Sequence, residues 1–122
     1  MNKRIESFKY AFRGIAMVLK SEKNMLIHVI ISILVLICGI LFQISITEWM
    51  ICLLCFGLVF STEMMNTAIE TLVDLVSPNH HKLAGKAKDI AAGAVLVAAI
   101  FAAITGLIIF IPKGLALLNL FL

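Results

Sequence analysis

Charge is scarce in this sequence. Only 14% of its 122 residues are Asp, Glu, Lys or Arg, while 62% are hydrophobic. A soluble domain of this size has too little interior to hide that fraction, so the surplus implies contact with lipid. The charge is missing in blocks. Ile90–Ile111 is a run of 22 residues without any, Trp49–Phe60 is a run of twelve, and Met25–Phe42 is broken only by His28 and Ser32. Each region approaches the roughly 20 residues that a spanning helix needs. One such run alone fits a buried core helix, but three leave no soluble shell to bury them.

Basic residues are also scarce on one side, which holds one of the ten. The short connector Gln43–Glu48 holds no Lys or Arg. Lys3, Arg4, Lys9, Arg13, Lys20 and Lys23 precede the first run, Lys82, Lys86 and Lys88 lie between the second and third, and Lys113 follows the third. Basic residues favour the cytoplasmic side, so the N-terminus and second connector are expected there and the C-terminus outside. The net charge of +3 then reflects topology and anionic lipid, not nucleic acid. No small-x-small cleavage site follows the late-starting first run, which is expected to act as an uncleaved insertion signal.

Several kinds of chemistry lack their residues. Cys52 and Cys55 make a C-x-x-C, but no second ligand pair or polar neighbour accompanies them, so they and Cys38 read as small packing residues. Gly85-Lys86-Ala87 lacks the Ser or Thr after Lys, and the earlier Gly, of a phosphate-binding P-loop. His28 reads as a packed or interfacial histidine, and His80 and His81 as loop residues.

What is present is a polar ladder at the end of an oily run, EMMNTAIETLVD over residues 63–74. At about 100° per residue, Glu63, Asn66, Glu70 and Asp74 fall near 0°, −60°, −20° and +20°, on one helical face. Counted from Trp49, Glu63 lies about 21 Å down the helix, Glu70 about 31 Å and Asp74 about 37 Å. The hydrocarbon layer is about 30 Å thick. Asp74, and nearly Glu70, also fit an ordinary solvated helix end, but Glu63 is too deep for that. Ionised and facing lipid it would cost on the order of 3 kcal/mol, so it is expected to be protonated, to face protein or to meet a cation. Clustered carboxylates suit Mg²⁺, which takes one or two of them together with phosphate oxygens. Glu22 enters at comparable depth from the first span, and Lys86 and Lys88 on the same side suit phosphates. Phosphoryl transfer needs little beyond metal, positive charge and a positioned nucleophile.

The expected architecture is an all-α membrane protein in one domain, with spans over about 25–42, 49–74 and 90–111. Ile5, Phe8, Phe12, Ile15 and Leu19 recur at three- to four-residue spacing, which predicts an amphipathic surface helix over about 4–19. Ser21 or Asn24 is the expected N-cap of the first span and Thr47 that of the second. Ser77-Pro78-Asn79-His80 breaks the second helix, and a helical lead-in near His81–Asp89 precedes the third span. Ala94, Ala98, Ala102 and Gly106 place a small residue at every fourth position, as close helix packing in membranes requires.

EMMNTAIETLVD followed by HKLAGKAKDIAAGAVLV resembles the small prokaryotic diacylglycerol kinase/undecaprenol kinase family. The family pattern is Glu-x-aliphatic-Asn-Ser/Thr-Ala-aliphatic-Glu, then Val-Asp, then Gly-x-Ala-Lys-Asp. Glu63, Asn66, Thr67, Ala68, Glu70, Val73, Asp74, Gly85, Ala87, Lys88 and Asp89 meet it. The likeness runs from the surface helix to Pro112. It implies a homotrimeric membrane kinase with composite sites between subunits, moving the γ-phosphoryl of Mg-ATP to a lipid hydroxyl. By position it implies Glu63 as general base or hydroxyl-positioning group and Asn66 as the residue orienting the reacting groups. Glu22 and Glu70 would bind Mg²⁺; Lys88 would hold ATP phosphates, with Asp74, Gly85 and Asp89 around the nucleotide. ISITEW, AKDIAAGAVLV and TGLIIFIPK look more like the undecaprenol branch, found in Gram-positive bacteria, and so does Lys82 where the diacylglycerol branch tends to have Glu. Diacylglycerol stays open as the alternative substrate. Outside the resemblance, the buried carboxylate alone also fits a small cation-coupled transporter, and the small-residue face a non-catalytic assembly subunit.

Overall fold

The computed structural model describes residues 2–122, which form helices α1 (Lys3–Ser21), α2 (Lys23–Leu41), α3 (Ile46–Val76) and α4 (Lys82–Phe121). The last three are each long and apolar enough to cross a membrane. α1 is the amphipathic helix. Its N-cap, Asn2, accepts from the Arg4 N–H at 3.1 Å. Ile5, Phe8 and Phe12 are 60%, 68% and 67% exposed, and only Val18 is buried. The first half of the apolar stripe of α1 is therefore left largely uncovered by the chain, as suits a helix lying in the membrane surface.

Both expected helix caps are displaced. Glu22 alone separates α1 from α2, in extended conformation, and caps α2 without a side-chain hydrogen bond. Ser21 is unavailable because it ends α1, where its hydroxyl donates back to the Met17 carbonyl at 2.8 Å. Asn24 already lies inside the first turn of α2. At α3 the cap is Ser45, not Thr47. The Ser45 hydroxyl accepts from the Glu48 N–H at 3.2 Å while the Ser45 N–H donates to Glu48 Oε1 at 2.9 Å. This reciprocal pair satisfies two donors that a lone Thr47 would leave unpaired.

The α2–α3 turn is tight. Gln43 adopts φ 53°, a left-handed conformation that L side chains seldom take. It lets the Ile44 N–H reach back to the Gly39 carbonyl at 3.2 Å. Ile44, Cys52 and Ile109 then form a buried cluster with Val35, Phe42, Trp49, Phe56 and Phe110 packed around it. The Phe42 and Phe110 rings lie 5.9 Å apart. Cys52 thus fills a core position, and all three cysteines are free thiols.

α3 and α4 run antiparallel and make the most extensive helix contact in the chain. An ion pair stands at each end of it: Glu48–Lys113, 3.2 Å apart, and Asp74–Lys88. The pairs are about 39 Å apart along α3 and about 38 Å along α4 at about 1.5 Å per residue. Both therefore fall outside a hydrocarbon layer about 30 Å thick. The small-residue row differs from expectation at two positions. Ala98 is buried, but Ala94 is exposed while Ala91 is buried, and a Cβ built on Gly106 would meet nothing within 4 Å. α4 also continues through Pro112 to Phe121. Proline lacks the N–H for the intrahelical bond, a loss tolerated in membrane helices, and Lys113 ties the chain beyond it to α3.

Two substitutions test this packing. A Cβ built on Gly39 would lie 2.5 Å from Trp49 Cη2 and 3.1 Å from Ile44 Cδ1. Gly39→Ala is expected to destabilise by about 1–3 kcal/mol, read as lower thermal stability in detergent, and Trp49→Leu in the same chain should relieve it. Ala98→Leu overfills the α3–α4 contact and should cost a similar amount, about 1–3 kcal/mol, within the single chain; unchanged unfolding would place Ala98 outside that contact.

Candidate active site between α2, α3 and α4

The polar ladder of α3 divides into two parts. The deeper part is Glu63 and Asn66, the only buried polar residues among those described, at 1% and 8% exposure. They face an open cavity of about 250 Å³ lined by Asn24, Ile27 and His28 of α2 and by Ala92, Val95, Leu96 and Ala99 of α4. Small and branched residues on α4 let its backbone come close to α3, which is how a carboxylate is sealed from water in a three-helix chain. Asn66 Nδ2 donates to Glu70 Oε1 at 3.3 Å, so the ladder is hydrogen-bonded along the helix. Asn66 Oδ1 and Glu63 Oε2 have no hydrogen-bond partner. Orphaned buried oxygens are costly and mark positions where a ligand or donor is needed.

His28 was not expected to take part. Its Nε2 lies 3.4 Å from Glu63 Oε2, close enough for an ion pair but not aligned as a hydrogen bond. Thirty-five positions separate the two in sequence, so no local spacing links them. A lone histidine in an apolar run, with only the uncharged Asn24 and Ser32 one turn to either side, carries no signal for this pairing. His28 also borders an apolar groove of about 600 Å³ that runs along α2, α3 and α4 past Phe56 and Gly106.

The shallower part lies at the second connector. Asp74, Gly85 and Lys88 line a cavity of about 280 Å³ with Ser77, His80 and His81. Lys88, two residues before the charge-free run of α4, pairs with Asp74. That carboxylate holds the Lys88 ammonium above the usual lysine pKa, so the side chain stays cationic. His81 does more than loop filling, because its Nδ1 accepts from the Leu83 N–H at 3.1 Å and caps α4.

The structure thus joins Glu63, Asn66 and Glu70 in one group and Asp74, Gly85 and Lys88 in another. Glu22 is half-buried at the α1–α2 junction and Asp89 is exposed. Among the described residues neither forms a side-chain hydrogen bond or ion pair. No cluster of three or more His, Cys, Asp or Glu side chains suited to a metal occurs among the described residues either.

Comparison with known proteins decides the family. Residues 9–110 match the family described as prokaryotic diacylglycerol kinase. The chain belongs to this family. It is 50% identical over 113 residues to an undecaprenol kinase of Bacillus subtilis, covering 93% of this chain and 92% of that one. It is 38% identical over 113 residues to a diacylglycerol kinase of Synechocystis, covering 92% of this chain and 65% of the other. A diacylglycerol kinase of Escherichia coli is 48% identical over 48 residues, 39% of each chain. As a member of the prokaryotic diacylglycerol kinase family the protein is a lipid kinase of the membrane with ATP as co-substrate. Membership displaces the transporter and assembly-subunit readings.

Asp74 and Lys88 are 63% and 41% exposed, and exposed pairs contribute little to stability. Lys88→Met should therefore change unfolding stability by less than about 1 kcal/mol, measured by thermal melting in detergent. A larger loss would make the pair a structural element and not a free ligand-facing group.

Proposed function

We propose that this kinase transfers the ATP γ-phosphoryl to the hydroxyl of undecaprenol, giving undecaprenyl phosphate. The observation that carries the reading is the division of one helical face. A buried carboxylate, Glu63, lies at lipid depth, and a cavity holding the Lys88–Asp74 pair lies about 38 to 39 Å along α4 and α3 from the outer ion pair, where water and nucleotide have access. The identity across nearly the full length of an undecaprenol kinase supports undecaprenol over diacylglycerol.

Each residue then has a task. Glu63 is the general base that takes the hydroxyl proton, and its burial keeps water from competing as the acceptor. Asn66, fixed by its bond to Glu70, turns its free Oδ1 toward the reacting groups. Lys88 and the Gly85 backbone receive phosphates, with Asp74 and Asp89 around the nucleotide. Lys88 leaves Asp74 for the nucleotide when ATP binds. The oxygen-only set of Glu70 and Glu22 fits Mg²⁺, a hard ion that takes few carboxylates when phosphates complete its shell. Bound there with ATP, Mg²⁺ supplies charge neutralisation of the phosphates.

Glu22 and Asp89 meet no other site residue within one chain, and large apolar side chains stand exposed along every helix. Both features support a homotrimer in which neighbouring copies complete each site. The distribution of Lys and Arg supports a cytoplasmic N-terminus and second connector, with the C-terminus outside.

Purified protein in mixed micelles, given labelled ATP and either lipid alcohol, tests the assignment. Undecaprenol should be phosphorylated with the higher kcat/KM, and only with Mg²⁺ present; faster transfer to diacylglycerol would reverse the substrate. Glu63→Gln keeps the shape and should lower kcat by about 10²–10⁴-fold, while near-normal turnover would remove Glu63 from the chemistry.

A further inference from the structure

Glu63 has a problem that its own burial creates. Transfer of the phosphoryl group to an alcohol releases one proton per turnover, and a base 1% exposed has no direct route to return it to water. The cavity around Glu63 contains one other titratable side chain, His28. α4 contributes only alanine, valine and leucine there, α2 adds Asn24, and α3 adds Asn66. Glu70, one turn further, is engaged by Asn66. His28 Nε2 stands 3.4 Å from Glu63 Oε2, and the His28 side chain is 18% exposed against 2% for Glu63. It also borders both the Glu63 cavity and the apolar groove.

We infer that His28 is the positioning residue of Glu63 and the acceptor of its proton. The inference rests on Glu63 being the base. As the lipid O–H bond breaks, the lipid oxygen bonds to the γ-phosphorus. The bond from that phosphorus to the bridging oxygen breaks, and its electron pair stays on ADP. The hydroxyl proton passes to a Glu63 oxygen and then to the lone pair of His28 Nε2. The proton then sits on the His28 ring, and Glu63 is free to accept the next one. Loss of one ring proton to water on the exposed part of His28, 18% of its side chain, restores the starting state. Imidazole suits this task because it both takes and gives a proton near neutral pH.

Three variants in lipid micelles test it. His28→Ala and His28→Gln should each lower kcat by at least about tenfold, with the KM for Mg-ATP unchanged within about twofold. Free imidazole in the buffer should restore part of the His28→Ala rate and leave the wild type unaffected. Glutamine keeps a donor for Glu63 but accepts no proton, so a His28→Gln enzyme at the wild-type rate overturns the inference. Equal losses in both variants with lowered thermal stability and no response to imidazole also overturn it, in favour of a packing role. Glu63→Gln separates the two levels: full turnover there removes the base itself, whereas an inactive Glu63→Gln beside fully active His28 variants removes only the relay.

Discussion

An ionisable carboxylate inside a hydrocarbon layer costs several kcal/mol unless protein replaces the water it has lost, on the order of 3 kcal/mol even by the lower measures. Glu63 sets that constraint for this chain. Almost everything near it answers the same demand. His28 from α2 supplies a partner of potential positive charge. Asn66, one turn away, supplies polarity without charge and is itself anchored by Glu70. α4 supplies alanine, valine and leucine side chains that line the cavity beside it. A larger face on α4 would separate the helices and admit lipid to the carboxylate.

That sealing depends on how α3 lies against α4. A shift of one residue would turn Ala91 and Ala98 about 100° away from their positions facing α3. The register is marked at both ends by Glu48–Lys113 and Asp74–Lys88, and at the Glu48 end also by the apolar cluster around Ile44, Cys52 and Ile109. Exposed ion pairs contribute little energy, so the apolar cluster and the alanine contacts hold the register, and the charges make slipped alternatives worse. The same register carries Gly85 and Lys88 to the end of the polar ladder. One packing solution thus serves the buried carboxylate and the cavity around Lys88 together.

Much of this was legible in advance. Lipid-facing helices declare themselves because hydropathy is local and one spanning length is about 20 residues. The ladder declares itself because four polar side chains on one face follow directly from helical period. Terminal details were less legible. Ser45 displaced Thr47 because a reciprocal bond with Glu48 satisfies more backbone than a lone cap. Helix α4 passed Pro112 because contacts with α3 outweighed one missing hydrogen bond. Ala94 and Ala98 share a spacing rule but not an environment, since a straight helix pair meets along a narrow seam.

The sequence by itself determined that the chain lives in a bilayer, that three of its helices cross it, and that Glu63, Asn66, Glu70 and Asp74 share a face. These properties depend only on composition and on the fixed geometry of a helix. Tertiary structure decided which of those residues is sealed, and what meets it. His28 and Glu63 are on different helices, and the angle and register that bring Nε2 to 3.4 Å from Oε2 come from the packing of α2, α3 and α4 together. No periodicity within one helix encodes a contact between two.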